Sequence, residues 1–161
     1  MTYKNYIIQI FLEEAGLPIP TPEMQHERNL AIYDILQKNE FALDEKLGIS
    51  LPQGPYVLKL SVRKSLLVFL IEDQVSDNKY ELHLSLTPLR LIIKDYFEIC
   101  KSYFDAVKRL PPSQIETIDM GRRGIHLEGS KALIDRLSGK VKTDVPTAKR
   151  LFTLICALHL K

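Results

Sequence analysis

Long apolar runs are missing from this chain, and none approaches the ~18–20 residues of a membrane span. The N-terminus lacks the basic-then-apolar pattern of a secretory signal, because Glu13, Glu14 and earlier polar residues interrupt it. Cysteine is scarce. Cys100 and Cys156 are the only two, and both sit in apolar helical patterns, so they read as buried free thiols suited to a reducing cytosol. No C-x-x-C pair exists and the four histidines are dispersed, which argues against a structural zinc site. No G-x-x-x-x-G-K-[ST] loop is present, which leaves nucleoside triphosphates with little support. These absences predict a cytoplasmic protein with no metal, no cofactor and no membrane association.

What is present suits a folded domain. The 161 residues, 45% hydrophobic and 26% charged, fit one domain spanning 1–161 with a substantial core. The net charge of +2 is too mild to imply nucleic acid. Its distribution is uneven, however. Residues 1–60 carry 5 Lys/Arg against 8 Asp/Glu, residues 61–110 carry 8 against 7, and residues 111–161 carry 9 against 5. The positive excess lies in the last third.

Residues 6–12 are β-branched and aromatic and suit a strand, broken by Gly16 and Pro18-Ile19-Pro20. Thr21-Pro22-Glu23 starts a helix running to about residue 38, with Thr21 as N-cap. Residues 39–54 read as a surface loop. Residues 56–63 and 80–86 alternate apolar and polar, the mark of half-solvated antiparallel strands. Leu66–Ile71 between them is apolar throughout. One of its two alternating sets, Leu67/Phe69/Ile71 or Leu66/Val68/Leu70, must face away from the core. Thr87-Pro88 opens a long helix to about Arg109, which Leu110-Pro111-Pro112 ends. A short helix over Ser113–Met120, a helix over Ser130–Leu137 capped by Gly139, and a last helix from Asp144-Val145-Pro146 complete the reading. The expected fold is α+β: a three- or four-stranded, mostly antiparallel sheet packed on one face by four or five helices.

The most distinctive stretch is Ile118–Lys131. It holds three of the seven glycines, the only Arg-Arg pair and His126. Glycines at Gly121, Gly124 and Gly129 would let the backbone turn and aim its N–H groups at an anion, just before a helix N-terminus. Arg122 and Arg123 would add forked donors for phosphate or carboxylate. The competing reading makes these arginines structural, paired with Asp119, Glu128 or Asp135, with the glycines permitting close helix packing. If the segment is helical, Asp119 and Arg123 are i,i+4 partners, as are Arg122 and His126.

By these residues the chain resembles bacterial uncharacterised protein family 0262. The likeness rests on His26-Glu27-Arg28, Ser85-Leu86-Thr87-Pro88, Lys94-Asp95-Tyr96-Phe97, Ile118–His126, Glu128-Gly129-Ser130, Asp135-Arg136-Leu137, Gly139-Lys140 and Arg150–Leu154. It covers roughly the whole chain, and Gly121–His126 is its most specific part. Leu127 departs from the family pattern, where a polar residue such as Asn is common. The resemblance implies no activity.

Function must come from the residues. The leading expectation is capture of an anionic small molecule, with Gly121, Arg122, Arg123, Gly124, His126, Glu128 and Ser130 as candidate ligand-binding residues. His26 and Arg28 would join them if the first helix folds against the stretch. The alternative is an interaction or scaffold protein, a homodimer through the apolar spot on the open sheet face. A third reading uses His126 with Glu128 or Glu27 as acid–base groups. Ser130 near His126 is the only local nucleophile grouping, and an N-cap role explains that serine better. His26-Glu27 lacks the second histidine of a zinc-protease helix, since position 30 is Leu. His83 reads as an exposed strand residue, and His159 as a cation at a helix C-terminus. Arg122, Arg123, Lys131, Arg136, Lys140, Lys142, Lys149 and Arg150 could attract phosphates, but Phe152 is the only aromatic after residue 110, so base stacking lacks its side chains.

Overall fold

The computed structural model describes residues 4–17 and 19–158. Pro18 and His159 therefore lie outside the described residues. The elements in chain order are β1 (Ile7–Leu12), α1 (Pro22–Gln37), β2 (Phe41–Leu43), β3 (Tyr56–Arg63), β4 (Leu66–Asp73), β5 (Lys79–Ser85), α2 (Arg90–Arg109), α3 (Pro112–Leu137), β6 (Val141–Thr143) and α4 (Val145–Leu158). The fold is α+β, with a four-stranded mixed sheet in the order β1-β3-β4-β5 and a two-stranded sheet of β2 and β6.

Period-2 patterning produces the main sheet. β3, β4 and β5 form an antiparallel meander in which Leu60 pairs with Phe69 and Phe69 with Leu82. β1 adds on the far side of β3 and runs parallel to it. A parallel neighbour needs a crossover, and α1 with β2 fills it. Leu58, Leu60, Leu67, Phe69, Ile71, Leu82 and Leu84 face the helices and join the core around Ile35, Ile93, Leu133, Leu151 and Phe152. Leu66, Val68 and Leu70 are thus the set that faces away. Yet Val68 is only 2% exposed, between Ser61 of β3 and His83 of β5. Leu66 at 37% and Phe11 at 46% exposed leave part of the apolar spot on that face open.

Two helix starts follow the sequence rules. Thr21 Oγ1 accepts from the Met24 N–H at 3.2 Å, and Asp144 Oδ1 accepts from the Thr147 N–H at 2.9 Å, each satisfying an orphan donor of the first turn. Gly139, at φ +80°, turns the chain out of α3 as a C-terminal glycine should.

Four details differ from expectation. Residues 39–54 are not all loop: Phe41 and Leu43 are buried and β2 pairs antiparallel with β6. Both strands are three residues long, too short for a periodic signal. Thr87–Leu89 forms a 3-10 turn with no side-chain cap, and α2 begins at Arg90. Ser130 caps nothing, since it lies inside α3 with its hydroxyl donating to the His126 carbonyl at 2.7 Å. Most consequential, the two short helices expected on either side of the glycine stretch are one 26-residue helix, α3. Each interior glycine costs about 1 kcal/mol against alanine, and tertiary packing overrides that penalty. A Cβ at Gly129 would penetrate the fully buried Phe152 ring of α4, and one at Gly121 would come within 2.9 Å of Ile99 Cδ1 of α2. The helix tolerates glycine because its neighbours sit that close. Gly124 faces nothing within 4 Å of such a Cβ.

Candidate functional site

The continuity of α3 changes the chemistry of the Gly-Arg-Arg-Gly stretch. Backbone amides inside a helix bond to carbonyls four residues back, so Gly121 and Gly124 offer no outward N–H groups. An amide nest is not formed here. Only side chains can hold a ligand.

Those side chains begin with Asp119, whose carboxylate serves two arginines. Arg122 Nε and Nη2 reach Oδ1 at 3.0 and 2.6 Å, and Arg123 Nε lies 3.2 Å from Oδ2. Of the three carboxylates expected to pair with these arginines, Asp119 is the one that does. Arg122 also stacks over Tyr103 of α2, 4.9 Å from guanidinium carbon to ring centroid, a favourable cation–π placement. Burial works against its charge, but Asp119 and the Tyr96 hydroxyl outweigh that and hold its pKa above the ordinary value. Arg123 remains 64% exposed along its side chain.

One turn further along α3, His126 enters the seam between α2 and α4. Its ring lies 5.3 Å from Tyr96 and 5.5 Å from Phe152, and its Nε2 is 2.7 Å from Thr153 Oγ1. Thr153 donates its hydroxyl proton to the Lys149 carbonyl at 3.1 Å. Its oxygen must therefore accept from His126, which places a proton on Nε2. Burial first, then the charges of Lys149 and Arg122, push the His126 pKa below its ordinary 6.5. The ring is thus a neutral donor in a field of positive sign.

Tyr96 and the two thiols complete the seam. Cys100 and Cys156 are free. Burial raises both thiol pKa values, and the Cys156 thiol also senses Cys100. Raised pKa values keep the sulfurs protonated and poorly nucleophilic. Burial likewise raises the Tyr96 phenol.

The first helix reaches the same layer by a different route. Arg28 is fully buried. Its Nε donates to the Ala157 carbonyl at 3.3 Å, near the C-terminal end of α4, where the helix dipole favours a cation. Its Nη1 and Nη2 have no hydrogen-bond partner among the described residues. Glu27 is close enough for its charge to raise the Cys100 pKa. His26 is exposed on α1. Glu128 is exposed as well. The structure therefore unites Arg122, His126 and Asp119 with Tyr96, Tyr103, Cys100, Lys149 and Thr153. It sets Arg28 beneath α4 and leaves His26 and Glu128 on the surface.

Nothing in the sequence tied Tyr96, Tyr103, Lys149 or Thr153 to Arg122 and His126, since each joins the site through contacts between helices. Elsewhere, His83 Nε2 sits 2.7 Å from Glu81 Oε2 on the open sheet face. Among the described residues, no group of three or more His, Cys, Asp or Glu could hold a metal ion. No helix among them is long and apolar enough to cross a membrane.

The class defined so far is a small α+β protein with an arginine–histidine seam between three helices. The chain belongs to the Uncharacterised protein family (UPF0262), whose model matches residues 4–161. It is 56% identical over 153 residues to a UPF0262 protein of Ruegeria pomeroyi, with 95% of each chain covered. It is 55% identical over 153 residues to one of Roseobacter denitrificans, covering 95% of this chain and 96% of the relative. A Paracoccus denitrificans relative is 53% identical over 154 residues, covering 96% and 95%. No solved structure matches the chain significantly. Four of the stretches that carry the family likeness supply this helical layer with Arg28, Tyr96, Asp119, Arg122, His126 and Thr153.

Proposed function

We propose that the chain binds an anionic group, a phosphate or a carboxylate, at the surface end of this seam, on Arg122 and Arg123 with His126 behind them. The observation that carries the reading is charge imbalance. Two guanidinium groups share the single carboxylate of Asp119, and the charges of Lys149 and Arg122 add to burial in depressing the neighbouring His126. A net cationic site with forked donors matches oxyanion chemistry. Asp119 holds both arginines in place and competes with the incoming anion.

Calorimetric titration with inorganic phosphate and with succinate tests this. Saturable binding of at least one is expected, lost in the Arg122→Gln/Arg123→Gln double variant while the melting temperature stays near wild type. Asp119→Asn removes the competing carboxylate and should tighten binding. Absence of saturable binding, or binding indifferent to all three substitutions, refutes the site.

A second reading has its own observation. Phe104, Val107 and Met120 on α2 and α3 are 66%, 52% and 62% exposed. A contiguous apolar patch marks a contact surface, and these side chains make the hairpin a second candidate homodimer face beside the sheet face. Mass in solution across a hundredfold concentration range, with Phe104→Lys beside wild type, checks it. A monomer throughout removes it.

A further inference from the structure

The other flank of α2 carries a second, separate feature. Between this helix and the β3–β4 turn lies a cavity of about 600 Å³, inside the size range of small-molecule sites. Its floor is apolar: Val62 from β3, Leu86 after β5, and Ile93 and Phe97 from α2. Its rim is cationic: Lys64 from the turn, and Arg90, Lys94 and Lys101 from α2. Glu98 is the one acidic residue on that rim. None of the four cations forms an ion pair among the described residues. Arg90 instead donates from Nη2 to Ser65 Oγ at 2.7 Å, tying the start of α2 to the turn.

Two features show that this rim is held against its local interest. Arg90 and Lys94 are like charges spaced i,i+4, an unfavourable pair on a bare helix that Glu98, one turn past Lys94, offsets only in part. Lys64 adopts φ +57°, a left-handed conformation that a turn of this kind normally gives to glycine. Strained backbone of this sort clusters at binding sites. The cavity thus presents an apolar bed beside a rim with four cations and one carboxylate, a pairing that an amphipathic anion complements.

We infer that this cavity binds a small amphipathic carboxylate: an apolar body lying on Ile93, Phe97, Leu86 and Val62, and one anionic head held by Lys94, Lys101 and Lys64. The Arg122 seam faces α3 on the other flank of α2, so this site is independent of the proposal above.

Decanoate is the probe, with decanol and acetate as its apolar and anionic halves. Binding is followed by NMR shifts of the Ile93 methyls and the Phe97 ring. Decanoate should saturate these shifts. Decanol should bind about tenfold or more weakly, as expected when hydrogen bonds to a charged group are lost, and acetate should leave the shifts unmoved. Lys94→Gln/Lys101→Gln should weaken decanoate about tenfold or more, while Arg122→Gln/Arg123→Gln should not change it. Lys64→Gly should raise the melting temperature and weaken decanoate, a pairing that a purely structural lysine would not give. Equal affinity for decanol and decanoate, shifts scattered away from Ile93 and Phe97, or an affinity indifferent to Lys94 and Lys101 overturns the inference.

Discussion

The two flanks of α2 treat charge in opposite ways. Toward α3 and α4, Tyr96, Ile99, Cys100 and Tyr103 lie against Gly121, Arg122 and His126, and the polar groups answer one another: Arg122 with Asp119, His126 with Thr153. Toward the β3–β4 turn, Lys94 and Lys101 have no carboxylate bonded to them, and the space between the elements stays open. A closed flank stores its chemistry in packing, so substitutions there register in stability. An open flank stores it in unmet charge, so substitutions there register in binding.

The largest expected effect tests the closed side. Gly129→Ala drives a methyl into the Phe152 ring, which is fully buried and cannot swing aside. Overpacking of this kind costs about 1–3 kcal/mol, against about 1 kcal/mol gained in helix propensity. A net loss in the urea midpoint is expected, and an unchanged or higher midpoint would mean that α3 and α4 are not in close contact. Gly124→Ala is the opposite case on the same helix. Its Cβ meets nothing, so the variant should gain up to about 1 kcal/mol. If both alanines shift stability in the same direction, the packing account of these glycines is wrong.

Acid titration sharpens the closed side further. Well above pH 6.5 the His126 ring is neutral in both folded and unfolded chains and adds no pH dependence. Below 6.5 the unfolded chain takes up a proton that burial, Lys149 and Arg122 resist in the folded one. Stability should fall as pH drops from 6.5 through the lowered folded value, then level off. His126→Gln should remove that component from denaturation curves taken across the window, and parallel curves for the two proteins would contradict it. The smallest effect belongs to the open flank. Lys94→Gln and Lys101→Gln are surface changes that should move stability by no more than about 0.5 kcal/mol, measured by the same denaturant midpoints. A larger loss would show that these lysines hold the fold.

How much of this was legible in the sequence follows the range of the interactions. The meander was readable because alternation in Tyr56–Arg63 and Lys79–Ser85 is local. So were the caps at Thr21 and Asp144, which act three residues along the chain. The Asp119–Arg123 pair was readable as one helical turn. The course of α3 was not. Three glycines, read locally, argue for a turn, and the reasons to stay helical are Ile99 and Phe152, which belong to other helices. The same limit hid Thr153 behind His126 and the union of Lys64 with Arg90, Lys94 and Lys101. The spacing of those last three on one stripe of α2 was the available clue.

The most direct test of the anion site is the His126 pKa itself, followed by NMR of its imidazole with and without inorganic phosphate. A phosphate held by Arg122 and Arg123 offsets the positive field that now depresses the ring. The proposal therefore predicts that the pKa rises as phosphate saturates, since burial remains but the Lys149 and Arg122 charges are offset, and that Arg122→Gln/Arg123→Gln abolishes the rise. A His126 pKa that ignores phosphate at every concentration would contradict it.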